Sequence, residues 1–313
     1  MEQALYARIL TAAATALTLA GCTAAMGDTP PAAATQGASF DMASFASECE
    51  PWDDWDKPAE PFRIYGDTYY VGTCGISAIL VANGEFPALI DVGTQKGAET
   101  VLRNIRRIGV DPADIRMILT SHEHFDHVGG LPEVLATGAR GLIVEESVYD
   151  VYYTGMAQPH DPQFGMHEPM RPAKPDGTAS NGQLKGITSN SGPPRLFKAI
   201  ATPGHTPGAM TWQWESCEGD VCKTIVYADS MSPISRDDYR FSDHPDYLAG
   251  FRAGIARLRD LDCEILLTPH PSHSKMVERS TTGSFEGGMS CAEYADSKTR
   301  ALDERLAKEK AGE

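Results

Sequence analysis

The sequence predicts an α/β protein that carries its functional residues at the ends of its strands. Three observations lead there. Short apolar runs recur along the chain, and each leads into a residue of metal-ligand type: Leu89-Ile90 into Asp91, Met117-Ile118-Leu119 toward His122, Leu196 to Ala201 toward His205, Thr224 to Ala228 into Asp229, and Ile265 to Leu267 toward His270. Between these runs the apolar residues switch to helical spacing, as in Val101, Leu102, Ile105 and Ile108. Finally, His122-Glu123-His124-Phe125-Asp126-His127 places three imidazoles within six residues, directly after a strand-like run.

The chain has 313 residues, enough for a large core. Its formal net charge of −16 argues against nucleic acid as a partner, because phosphates call for Lys and Arg. Residues 1–22 read as a targeting segment. Arg8 precedes an apolar run, Ile9 to Ala20, that is too short to span a bilayer. It ends in Leu19-Ala20-Gly21-Cys22, which resembles the lipobox of bacterial lipoproteins. That resemblance implies a lipid on Cys22 and a membrane tether; an ordinary secretory signal cleaved nearby is the alternative. Either leads to a periplasmic location. Residues 23–48 are rich in Ala, Thr, Pro and Gly and are expected to form a disordered tether, leaving 49–313 as the folded domain.

Setting Cys22 aside leaves Cys49, Cys74, Cys217, Cys222, Cys263 and Cys291, an even set suited to disulfides in an oxidising compartment. Six cysteines permit 15 pairings. We favour Cys49–Cys74, Cys217–Cys222 and Cys263–Cys291; Cys217-Glu-Gly-Asp-Val-Cys222 reads as a hairpin tip. No Cys-x-x-Cys pair supports a cysteine metal site.

In chain order, Ile64-Tyr65, Tyr69 to Val71 and Ile76 to Ala82 read as strands, with Asn83-Gly84 as a hairpin turn. The helix through Val101–Ile108 stops at Gly109. Ile115 to Thr120 delivers the histidine motif, Leu131, Val134 and Leu135 suggest a helix, and Gly141 to Val144 is strand-like. Residues 155–195 carry many Pro, Gly, Asn and Gln and little periodicity, so a long functional loop is expected, with His160 and His167 as rim or surface residues. Thr202-Pro203-Gly204-His205-Thr206-Pro207-Gly208 is a tight loop around His205. Ala209 to Trp214 and Thr224 to Ala228 form a hairpin pair. Leu248, Phe251, Ile255, Leu258 and Leu261 mark an amphipathic helix, and Tyr294, Leu302 and Leu306 face inward from a terminal helix over 291–309.

Alternate residues of an extended segment face the same way, so a turn can aim His122 and His124 at one point and leave Asp126 and His127 for a neighbouring one. Neutral imidazole with carboxylate suits zinc before iron or manganese. If the strands lie side by side, Asp91, the histidine motif, His205, Asp229-Ser230 and His270 gather at one sheet edge.

This pattern, and the His-x-His-x-Asp-His signature above all, resembles the metallo-β-lactamase superfamily. The resemblance covers residues 50 to 313 and implies an αββα sandwich, two mixed sheets between helices with a two-metal site at one edge. By that resemblance His122, His124 and His205 bind a first zinc, and Asp126, His127 and His270 a second. Asp91 would orient the metal loop by hydrogen bonding. Glu123 is read as an outward-pointing spacer. Ala228-Asp229-Ser230-Met231-Ser232 and Leu266 to Pro271 look like the third subclass of the zinc β-lactamases. Ser230 and Ser232 would then contact the substrate carboxylate, Asp229 would support the ligands from behind, and Tyr239 would help with the developing oxyanion.

The activity so implied is hydrolysis of the β-lactam amide of penicillins, cephalosporins and carbapenems by a zinc-bound hydroxide that Asp126 helps orient, conferring antibiotic resistance. Residues 155–195 would form part of one wall of the pocket. Two alternatives stand beside it. If Asp229 bridges the metals, a hydrolase acting on a lactone or thioester fits better. If one metal is held in a closed site, the protein is a binding protein with structural zinc.

Overall fold

The computed structural model describes residues 40–189 and 192–312. The targeting segment with Cys22, and the tether as far as residue 39, lie outside them.

The tether ends earlier than its composition suggests. Helix α1, Met42–Glu48, starts at Asp41, whose side chain accepts from Ala43 N at 3.0 Å. Met42 and Phe45 are buried, and the Phe45 ring lies 5.1 Å from Phe62 and 4.9 Å from Tyr70. Two apolar side chains in a small-residue stretch dock this segment onto the domain, which corrects the boundary at residue 48.

Seven strands form a first sheet in chain order: β1 Phe62–Tyr65, β2 Thr68–Tyr70, β3 Ile79–Val81, β4 Ala88–Ile90, β5 Met117–Leu119, β6 Leu142–Glu145 and β7 Gly177–Ala179. Pairing is antiparallel from β1 to β4 and parallel from β4 to β7. A second sheet runs in the order β12-β11-β10-β9-β8. Its strands are β8 Leu184–Ser189, β9 Gly192–Ala201, β10 Met210–Glu218, β11 Val221–Tyr227 and β12 Ile265–Leu267; the β11–β12 pair is parallel and the rest antiparallel.

Side-chain alternation along these strands builds the layers. Ile79, Val81, Ile90 and Leu119 face Trp212, Trp214, Ile225, Tyr227, Ile265 and Leu267 in a core between the sheets. The residues between them, Leu80, Leu89 and Ile118, turn to the opposite face. There they meet α2 (Gly97–Ile108), α4 (Leu131–Leu135) and α5 (Tyr149–Thr154). In the second sheet Val226 and Leu266 turn outward onto α6 (Pro245–Arg259) and α8 (Cys291–Ala311). The central three-residue strands are buried on both faces, which is why they read as continuous apolar runs. The result is the αββα sandwich. The short helices α3 (Phe125–Val128) and α7 (Met276–Ser280) complete the set.

The expected long loop is partly structured. Residues 155–176 lack regular structure, but β7, β8 and the start of β9 follow. Edge strands need only one pairing partner, so Gly and Pro survive in them and blur the period-two signal. Disulfides join Cys49–Cys74, Cys217–Cys222 and Cys263–Cys291. Among the described residues no helix is long and apolar enough to cross a membrane.

Candidate metal centre

Parallel strands send their C-terminal ends to the same edge. Asp91 leaves β4 and the histidine motif leaves β5, side by side, and Asp91 N donates to Leu119 O at 2.9 Å. Across the sandwich, Asp229 leaves β11 and His270 leaves β12. The loop from β9 to β10 brings His205. An added Cβ on Gly204, whose φ is 149°, would meet the Phe251 ring at 2.1 Å, so only glycine lets this loop lie against α6.

The six side chains converge. One ligand atom from each of His122, His124 and His205 lies within 4.8 Å of the others, and the same holds for His122, Asp126 and His127. His270 Nε2 is 3.3 Å from His127 Nε2 and 3.4 Å from Asp126 Oδ2. His122 belongs to both groupings, so two candidate metal positions are adjacent. Cys49, Asp53 and Cys74 form a third cluster, but its sulfurs are joined in a disulfide and cannot act as thiolate ligands.

Each imidazole is turned by a specific partner. His122 donates from Nδ1 to Asp229 Oδ1 at 2.8 Å. His205 donates from Nδ1 to the Ser232 carbonyl at 2.9 Å, and a carbonyl can only accept, so Nε2 keeps the lone pair. His124 uses Nε2 toward Asp161 at 3.3 Å, which leaves Nδ1 to face the cluster. His127 Nδ1 lies 3.6 Å from Asp91 Oδ2. Asp91 in turn accepts from Ser121 N and Oγ, both at 2.7 Å, and from the Tyr227 hydroxyl at 2.8 Å. Burial pushes the Asp91 carboxyl up to about 6 against the pull of His127 and these donors. Burial holds His122 and His205 well below the usual imidazole range, which keeps both neutral.

A divalent metal fits this arrangement. His122 Nε2 is buried and has no hydrogen-bond partner, a costly state for an imidazole lone pair unless a cation accepts it. Buried imidazoles with one carboxylate form a borderline donor set of the zinc type. Backbone strain concentrates here too. Asp91 and Met231 adopt left-handed φ values of 57° and 46°, each costing about 1–3 kcal/mol.

Some expected residues lie elsewhere. Glu123 is 3 % exposed and points inward: Oε2 accepts from Thr206 Oγ1 at 2.8 Å and Oε1 from Gly208 N at 3.0 Å. It ties the histidine motif to the His205 loop, and burial pushes its carboxyl up to about 7. This corrects its reading as an outward spacer. Tyr239 is stacked on His244, ring centroids 4.5 Å apart, and packs against Phe241 in the core under α6 and α8. No hydrogen bond joins its hydroxyl to the six converging residues, so the geometry gives the oxyanion role no support. Ser230 and Ser232 are both buried beside the cluster, and Ser230 Oγ has no partner. His160 and His167 are exposed; His167 lies 4.7 Å from the Phe125 ring.

Sequence reasoning missed Asp161, Lys298 and Trp55. The Trp55 ring sits 5.8 Å from both Phe125 and His270, forming an aromatic rim. A cavity of about 220 Å³ opens beside His124, with Phe125, Val151, Met156, Phe164 and Met170 among its walls.

Comparisons with known proteins agree with this geometry. A family model described as the metallo-beta-lactamase superfamily matches residues 71–218. The solved MIM-2 metallo-beta-lactamase is 42% identical, with a TM-score of 0.80 over 87% of this chain and 100% of that one. Metallo-beta-lactamase MIM-1 from Novosphingobium pentaromativorans is 40% identical, with a TM-score of 0.80 over 86% and 99%. MEM-A1, a subclass B3 metallo-beta-lactamase from a soil metagenome library, is 33% identical, with a TM-score of 0.76 over 83% and 100%. The chain belongs to the metallo-β-lactamase superfamily. Within it the chain falls in subclass B3, and fold and donor clusters together make it a metal-dependent hydrolase of the dinuclear type.

Proposed function

We propose that this protein is an exported zinc β-lactamase that opens the ring of penicillins, cephalosporins and carbapenems and so confers resistance to them. The observation that carries the reading is the meeting of the three-histidine cluster with Asp126, His127 and His270, next to two buried serines. Likeness to three metallo-β-lactamases over nearly their whole length adds support.

In this reading His122, His124 and His205 hold one zinc, and Asp126, His127 and His270 hold the other. Two zinc ions so placed supply water acidified to near-neutral pKa and a positive field for the charge that builds up on the opening amide. The chain's own residues set the geometry. Asp229, Asp161 and the Ser232 carbonyl fix the tautomer and aim of three imidazoles. Asp126 has a second carboxylate oxygen with which to orient solvent. The Ser230 and Ser232 hydroxyls offer hydrogen bonds to the substrate carboxylate, and the Trp55–Phe125 rim offers an apolar surface beside His270. Tyr239 has no part in this scheme.

The lactone or thioester alternative needs Asp229 between the metals. Asp229 instead spends Oδ1 on His122 Nδ1 and Oδ2 on Met231 N, which favours the lactam. Export is supported by three disulfides in one chain. Lipidation of Cys22 belongs to the same proposal, and the mass of the mature N-terminus tests it.

The test of function is turnover of one penicillin, one cephalosporin and one carbapenem by zinc-loaded protein, with and without a chelator. Chelator-sensitive hydrolysis is expected. No turnover of any of the three, with zinc shown to be bound, sinks the reading.

A further inference from the structure

Lys298 stands on the inward stripe of α8, one turn from Tyr294 and one turn from Leu302. It is 7 % exposed, and its Nζ donates to Ser232 Oγ at 3.0 Å. The ammonium also lies 4.8 Å from the centre of the Tyr294 ring. No carboxylate oxygen comes within 4.0 Å of it among the described residues. Asp229 is the anion whose field reaches it, but both Asp229 oxygens are already engaged, by His122 and by Met231 N. A cation left in a buried site with one neutral partner carries a penalty of several kcal/mol unless an anion joins it. Burial accordingly draws the lysine down to about 7.

The hydrogen-bond roles around it are fixed by chemistry. An ammonium only donates, so Ser232 Oγ accepts from it and keeps its own proton for another acceptor. The acceptor within the protein is the Ser230 carbonyl at 3.3 Å, longer than the roughly 3.0 Å at which O–H···O bonds normally end. Beside it the Ser230 hydroxyl is buried and unpartnered. The Ser232 carbonyl meanwhile holds His205. Two hydroxyls with unused capacity therefore sit between an unpaired buried cation and the candidate metal centre.

We propose that Lys298 is a positioning residue for the substrate's carboxylate: it orients the Ser232 hydroxyl outward and supplies the charge that draws an anion to the Ser230–Ser232 edge of the centre. The inference rests on the lactam reading, since penicillins and their relatives carry a carboxylate next to the ring nitrogen. It makes the enzyme selective for anionic lactams over neutral ones.

The test compares a penicillin with its methyl ester, which keeps the lactam and lacks the anion. Wild type, Lys298→Met and Lys298→Gln are assayed below about pH 7, where Lys298 carries its proton, as zinc-loaded holoenzymes with zinc content measured for each. For the acid, the variants should raise KM about 10- to 100-fold, the value of one hydrogen bond to a charged group, with kcat changed far less. For the ester, KM should match wild type. If Lys298→Met fails to fold, Lys298→Gln and the wild-type acid-to-ester KM ratio still decide: the ratio should favour the acid by at least about tenfold. Equal KM changes for acid and ester, or a wild-type ratio near one, overturn the inference alone. Turnover of neither compound by wild type overturns the lactam reading, and this inference with it.

Discussion

Asp229, at the end of a strand in one sheet, accepts a hydrogen bond at 2.8 Å from Nδ1 of His122, which follows a strand of the other. The pair is fully buried. The metal centre therefore depends on the two sheets being held in register, and the bond selects the nitrogen that His122 presents.

A first expectation concerns this bond. Asp229→Asn keeps the shape but weakens the acceptor and lets the imidazole take its other tautomer. Zinc affinity should fall about 10- to 100-fold, the usual effect of losing an oriented partner of a metal-bound histidine. Competition with a chromophoric chelator measures it. Unchanged affinity would mean that Asp229 is only a strand-end cap.

Glu123 gives a second. It clamps the His205 loop through Thr206 and Gly208. Glu123→Ala leaves a buried backbone N–H and a hydroxyl without a partner, which costs about 1–3 kcal/mol per group. Denaturant unfolding should show the loss. A variant as stable as wild type would contradict the clamp.

The disulfides should differ in weight. Cys263–Cys291 spans 28 residues and anchors the start of α8, whereas Cys217–Cys222 spans 5 and closes a hairpin that the β10–β11 pairing already forms. Loop entropy assigns the first about 3.5 kcal/mol and the second about 2. Double Cys→Ser replacements, compared by denaturant midpoint, should rank in that order. The reverse ranking would show that chain entropy is not what these bridges contribute.

How far the sequence announced all this depends on the range of each contact. Helices α6 and α8 were legible because their burial follows one period along one segment, and the central strands because burial on both faces makes each a continuous apolar run. The histidine motif was legible because its chemistry is local. Helix α1 was not, since only Met42 and Phe45 among small residues mark it. Glu123 was misread because its partners lie 83 and 85 residues away, and no local pattern records them. Asp161 likewise meets His124 across 37 residues, from a loop without regular structure. Lys298 did leave a signal: a lysine between Tyr294 and Leu302 on an apolar helical stripe is out of place unless it is there for its charge.

That lysine also sets a pH dependence of stability. Its ordinary value is 10.5 and burial lowers it to about 7 in the folded chain. Between these values the unfolded chain binds a proton that the folded chain has released, so stability rises with pH across the window. Below about 7 both states are protonated, and the full cost of burial is present and constant. Wild type should therefore gain on Lys298→Met by up to a few kcal/mol between about pH 7 and pH 10. Unfolding curves of the two proteins at both ends of that range provide the check, and parallel behaviour would contradict it.

The central claim is that six separated side chains form two neighbouring metal pockets. Anomalous diffraction from zinc-soaked crystals, recorded on both sides of the zinc absorption edge, tests it most directly. The expected map holds two peaks, one among His122, His124 and His205 and one among Asp126, His127 and His270. A single peak at full zinc occupancy, or zinc bound only away from these residues, would contradict the account.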